Sequence, residues 1–224
     1  MKKRIYEDDD GRTVADLVIE EGGKTGEKTE IGAYEYLEAP STTSYNHLGN
    51  KLATIAGFNL EGVDAQVGKD VAMQVASMNP IAVDRDSVAK SIVEAEYNVA
   101  VEKTKEEQVK KAVEAALKKA GINPNLVDSE DHISSNIAKG WLTEEEADKA
   151  RKIAKETAEA KAANLPEQMI QNIANGRVNK FYKENCLMEQ EFIKDGNLTI
   201  GKYLEQAQKG LVVVTFKRVN LNED

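Results

Sequence analysis

One cysteine, Cys186, and two histidines, His47 and His132, occur in 224 residues. A lone cysteine excludes an internal disulfide framework and a Cys-rich zinc site, and two histidines are too few for a histidine-built metal centre. Aromatic residues are scarce, at 5%, while Lys, Glu and Ala are abundant, the composition of long exposed helix. No apolar run approaches the ~20 residues of a membrane helix; the most conspicuous is Leu211-Val212-Val213-Val214. Positive charge is in deficit. Thirty Lys and Arg stand against 39 Asp and Glu, a net charge of −9, which argues against a general nucleic-acid binder with a phosphate-neutralising basic surface. The basic start Met1-Lys2-Lys3-Arg4 leads into Glu7-Asp8-Asp9-Asp10, not into the apolar stretch of a secretory leader. The chain therefore reads as soluble and cytoplasmic, with no membrane and no direct nucleic-acid partner. The 41% hydrophobic content suffices for a packed domain.

The pattern along the chain is mixed at both ends and helical in the middle. Residues 1–27 read as irregular, with Glu20-Glu21-Gly22-Gly23 as a turn. Residues 28–37 alternate and read as a strand, and residues 44–58 read as extended with a turn at Gly49-Asn50. Val67, Val71, Val75 and Met78 form one apolar stripe of a helix over residues 62–79, which Asn79-Pro80 stops. Asp84 or Asp86 can cap a long helix that runs to Lys119 and ends at Gly121. Its expected seam is Val88, Ile92, Ala95 and Val99, then Val109, Val113, Ala116 and Ala120. Residues 122–135 read as a loop. Thr143 with Glu146 makes a capping box for a second helix reaching about Asn164, with the small seam Ala147, Ala150, Ala154 and Thr157. A third helix begins after Pro166, with Ile170, Ile173, Ala174, Val178 and Phe181 on one face. Residues 187–193 read as a strand, residues 199–208 as a short helix and residues 211–221 as a final strand.

Several apparent motifs fail on spacing. Gly23-Lys24-Thr25 lacks the P-loop glycine five positions earlier, where Val18 stands. Asp8-Asp9-Asp10-Gly11 would place Tyr6 and Leu17 at the first and last ligand positions of a calcium loop. Cys186, beside Leu187 and Met188, reads as a small buried hydrophobe. His132 has no evident partner, and Trp141 is expected to pack at the entry to the second hairpin helix. Glu102–Glu106 and Glu145–Glu146 are helix-surface acids, with nothing to place them in a glycosidase cleft. No nucleophile, base and metal set converges, so the residues alone describe a non-catalytic protein.

Five segments carry a resemblance. They are Lys24-Thr25-Gly26-Glu27-Lys28, Ser44-Tyr45-Asn46-His47-Leu48-Gly49 with Ile55, and Val71-Ala72-Met73-Gln74-Val75-Ala76-Ser77-Met78-Asn79-Pro80. The others are Asn175-Gly176-Arg177-Val178-Asn179-Lys180-Phe181, and Thr199-Ile200-Gly201 followed by the last strand. In this order they resemble the K-I-G-E-N, S-Y-x-H, I-A-M-x-V-A-x-x-x-P, E-G-R-x-x-K-F and C-terminal segments of elongation factor Ts. The resemblance implies a guanine-nucleotide exchange factor that acts on the GTPase elongation factor Tu, without chemical catalysis and without a cofactor or metal. It implies Thr25, Gly26, His47, Ile173 and Arg177 as partner-binding residues, with His47 a hydrogen-bonding contact. The residues themselves leave other roles open: a plain turn at Thr25-Gly26, a structural histidine, a core Ile173, a solvated Arg177.

The expected fold is α+β. A C-terminal antiparallel-sheet core subdomain spans about residues 41–84 and 166–224. An inserted helical hairpin of about residues 85–165 corresponds to the family's dimerisation module, so a homodimer through it is plausible. Residues 1–40 would be a remnant of a preceding subdomain. The family's L-R-x-x-T-G and T-D-F-V segments do not occur in the 224 residues, so the sequence reads as a fragment or a shortened homologue with impaired exchange. The rival reading is a homo-oligomeric, non-catalytic scaffold built on the hairpin.

Overall fold

The computed structural model describes residues 11–47, 49 and 51–222. The acidic run Glu7-Asp8-Asp9-Asp10, Leu48 of the histidine motif and Asn50 of the expected turn lie outside the described residues. The fold is α+β, and the chain divides into two compact units: residues up to Val83 together with those from Glu191 onward, and Asp84–Gln190.

The first unit opens with α1, Val14–Thr25, where an irregular segment was expected. Two local devices outweigh its glycines. Thr13 and Asp16 form a complete capping box, and Lys24 pairs with Glu20 and Glu21, each at 2.8 Å. Each interior glycine costs only about 0.5–1 kcal/mol, an amount a good cap offsets.

Strands β1, Ser41–Asn46, and β2, Leu52–Phe58, form a hairpin, and β5, Val213–Asn220, pairs with the other edge of β2. Both pairings are antiparallel, with Tyr45 opposite Thr54 and Ile55 opposite Lys217. Alternation along β2 assigns the two faces. Thr54, Ala56 and Phe58 are buried, and the Thr54 hydroxyl donates to the Ala72 carbonyl at 2.8 Å. That carbonyl belongs to α2, Ala65–Met78, capped by Asp64. The approach of α2 to β1 needs Gly68, because a Cβ there would lie 2.2 Å from Thr43 Oγ1.

The opposite face of β2 carries Ala53, Ile55 and Gly57. Residues 27–39, expected in part as a strand, hold no regular element. They run over this face: Leu37 and Ala39 pack where a Gly57 side chain would be, and Glu35 pairs with Lys217 at 3.2 Å. A segment lying on the face of a sheet cannot join its hydrogen-bond ladder, although its alternation looks the same in sequence.

The remaining elements of this unit are β3, Glu191–Phe192, β4, Asp195–Thr199, and α7, Ile200–Ala207, which Thr199 caps. The strand expected over residues 187–193 is therefore reduced to two residues, preceded by a 3-10 turn at Leu187–Glu189. Gln74 on α2, fully buried, replaces a strand partner here: it donates to the Glu191 carbonyl and accepts from the Ile193 N–H, both at 3.0 Å.

The second unit is helical. Its spine, α3, Lys90–Lys119, follows Ala89, which makes no side-chain cap. Asp84 instead accepts from the Ser87 N–H and hydroxyl, so neither expected aspartate caps α3. The expected loop after α3 contains a 3-10 turn, Pro124–Leu126, and α4, Glu130–Ala138, capped by Ser129. The capping box predicted at Thr143 and Glu146 is present at the start of α5, Glu144–Ala163. α6, Glu167–Asn185, follows Pro166.

α3 packs on α5 through Val113, Leu117 and Ala120 against Ala150 and Ile153; Val113, Ala120 and Ala150 belong to the expected seam, whereas Leu117 and Ile153 do not, and Leu117 is the buried residue where Ala116 was expected. In its N-terminal half the seam is rotated. Ala100 and Thr104 are buried, whereas Ile92, Ala95 and Val99 are exposed, since α6 and not α5 is the neighbour there. Trp141 is 65% exposed beside Lys139, contrary to the expected packing. His132 pairs with Asp128. Cys186 is buried as expected, which pushes its thiol up to about 11.

Candidate partner-binding site

Thr25 and Gly26 form the end of α1. The Thr25 hydroxyl donates to the Glu21 carbonyl at 3.0 Å and accepts from the Glu27 N–H at 3.3 Å. Gly26 donates to the Gly22 carbonyl at 3.0 Å and adopts φ +70°, the left-handed cap that glycine takes without a Cβ penalty. Nothing stands within 4 Å of a Cβ built on Gly26, so this corner faces open space.

His47 leaves the β1–β2 hairpin exposed to solvent, yet it is held at both ends. Its backbone N–H donates to the Leu52 carbonyl at 2.9 Å, and its Nδ1 lies 2.9 Å from the Tyr45 hydroxyl. The two rings are tilted with centroids 5.9 Å apart. Tyr45 is half-buried, so a fixed residue sets the orientation of an exposed one.

Ile173 and Arg177 stand one turn apart on α6, both half-buried. The Arg177 Nη2 donates to Glu107 Oε2 of α3 at 2.6 Å, and this bond holds the Glu107 carboxyl below the ordinary carboxylate range. Arg177 is thus anchored and not freely solvated. The five residues fall in the two units: Thr25, Gly26 and His47 in the first, Ile173 and Arg177 in the second.

Sequence reasoning missed a polar cluster in the first unit. Asp70 on α2 is 5% exposed. It accepts from Lys194 Nζ at 2.6 Å, Gln66 Nε2 at 2.7 Å and the Tyr203 hydroxyl at 2.9 Å, so it ties α2 to the β3–β4 turn and to α7. Burial alone would raise its pKa, but the three donors outweigh it and the carboxyl is held low. Burial and the Asp70 bond push the Tyr203 hydroxyl up to about 12, and its ring stacks on Phe192 at 4.3 Å. A signal existed: Gln66, Asp70 and Gln74 recur every four residues along α2, beside its apolar stripe.

Among the described residues no three His, Cys, Asp or Glu side chains gather to hold a metal ion, and no helix is long and apolar enough to cross a membrane. No described buried side-chain nitrogen or oxygen lacks a hydrogen-bond partner.

Comparison with known proteins yields a consistent set of relatives. The family model described as Elongation factor TS matches residues 1–119 and 99–223. A Bacteroides fragilis protein called Elongation factor Ts is 54% identical over 213 residues, covering 95% of this chain and 64% of the relative. The protein of that name from Bacteroides thetaiotaomicron gives the same figures. One from Porphyromonas gingivalis is 38% identical over 215 residues, covering 96% of this chain and 58% of the relative. The chain thus spans about two thirds or less of the length of these relatives. With matches along nearly all of its own length, the chain belongs to the elongation factor Ts family of translation elongation factors.

Proposed function

We propose that this chain binds elongation factor Tu in its GDP form in the cytoplasm and promotes GDP release, acting as an exchange factor and not as a chemical catalyst. The observation that carries this reading is the family match over nearly the whole chain. The proposed contacts are Thr25, Gly26, His47, Ile173 and Arg177. Two features of their setting favour this role: His47 and the Gly26 corner are exposed but backbone-anchored, and Arg177 is pre-oriented by Glu107. Pre-organised polar groups lose less freedom on binding.

Exchange requires coupling. The factor must bind nucleotide-free Tu more tightly than Tu·GDP, and GDP must weaken the factor by the same ratio. The expected outcome is binding to Tu and faster release of its GDP. Release of a fluorescent GDP analogue from elongation factor Tu, measured beside direct binding by calorimetry, tests both parts. Absence of binding removes the partner assignment, and binding without faster GDP release refutes the exchange reading.

A further inference from the structure

The helical unit leaves one side of α3 uncovered. Val93, Tyr97, Val101 and Val109 fall on one i, i+4 row of α3, a ridge that slants round the helix, and together with Ile170 and Val178 of α6 they line an open groove. Ile170 and Val178 are buried at its floor, while the four α3 residues are only half-buried. The groove consists of two adjoining stretches of about 700 and about 1050 Å³ that share Tyr97 and Asn98. From Val93 to Lys110 it extends about 25 Å at 1.5 Å per residue. A helix with its side chains is about 10–12 Å across, so the shape is that of a missing third helix beside two packed ones.

The charges along the groove state what kind of helix fits. Four carboxylates, on Glu94, Glu102, Glu106 and Glu167, face two ammonium groups, on Lys105 and Lys110. Lys105 is already paired with Glu102 at 2.8 Å. Among the described residues no ion pair engages Glu94, Glu106 or Glu167. The rim is therefore acidic over an apolar floor.

We propose that this groove receives an amphipathic helix of a partner protein, four to five turns long, with an apolar stripe flanked by Lys and Arg. The stripe covers Val93, Tyr97, Val101 and Val109, and the cations meet Glu94 and Glu106. This is helix-in-groove recognition, in which apolar anchors at i, i+3, i+4 and i+7 supply affinity and the charged rim supplies orientation and rate.

The test uses the full chain and a fluorescein-labelled peptide of about 18 residues, long enough to span the groove, made of Leu and Lys with leucine on one helical stripe. A second peptide has the same composition in an order that breaks the stripe. Anisotropy should show saturable binding of the striped peptide, and binding of the second weaker by about tenfold or more. Val101→Lys should weaken the striped peptide about tenfold with an unchanged circular-dichroism melting curve. The surface variant Glu94→Gln/Glu106→Gln, which removes no packing, should weaken it about threefold at low salt and not at high salt. Equal binding of both peptides, or undiminished binding by Val101→Lys, would overturn the proposal in favour of charge attraction alone. Self-association that Val101→Lys abolishes would overturn it in favour of a second copy as the occupant.

Discussion

His47 and Asp70 are opposite uses of a polar side chain. His47 is exposed and oriented by the Tyr45 hydroxyl, so His47→Ala should weaken binding to elongation factor Tu by about 1 kcal/mol, the worth of one hydrogen bond, with an unchanged urea midpoint. Tyr45→Phe should produce part of that loss through the histidine. A variant that unfolds the unit instead makes the histidine structural. Asp70 is buried with three donors, and Asp70→Asn should cost about 2 kcal/mol, in the range for hydrogen bonds to a charged group. Its folded pKa lies below its unfolded value. The stabilisation is therefore fully present above the unfolded value of about 4 and is lost as pH falls toward the folded one. Urea denaturation of both proteins from pH 7 to pH 3 should show the gap closing only at the acid end. The motif made His47 legible in sequence, since Ser44-Tyr45-Asn46-His47 is contiguous. Asp70 was not, because Lys194 and Tyr203 lie more than a hundred residues away.

Elements were legible where their own ends and faces define them. The Thr143–Glu146 box starts α5, Asn79-Pro80 stops α2 and Thr199 caps α7, all from neighbours within four residues. Where two elements must agree, local pattern misled, as in the rotated first half of the α3 seam and in residues 27–39. Gly68 puts a magnitude on such agreement. Gly→Ala in a helix gains about 1 kcal/mol from propensity. Here the new Cβ would sit 2.2 Å from Thr43 Oγ1 and 3.0 Å from Thr43 Cβ, and overpacking costs about 1–3 kcal/mol. The hydroxyl can rotate away but the Cβ cannot, so Gly68→Ala should destabilise by about 1 kcal/mol net. Thr43→Ala in the same chain removes the hydroxyl and the methyl but keeps the Cβ at 3.0 Å, so it should restore only part of the loss in a urea midpoint.

At the scale of the molecule, the net charge of −9 suits a factor proposed to work on another protein and not on RNA. The two units carry separate reporters, Asp70 in one and buried Cys186 in the other. A thiol held near 11 reacts slowly while folded, so labelling of Cys186 should follow opening of the helical unit. Asp70→Asn should leave that labelling rate unchanged while it lowers the stability of the sheet-containing unit; faster labelling would show that the two open together. The sequence by itself determined the α+β class, the helices α2, α3 and α5, the capping box of α5, the strand β5 and the family, because periodicity, capping boxes and contiguous motifs are short-range. Only the tertiary structure decided that residues 27–39 lie on the sheet face, that Gln74 completes the backbone at Glu191 and Ile193, and that Glu107 anchors Arg177. Each depends on which distant backbone comes within hydrogen-bonding or packing distance, and no local spacing encodes that.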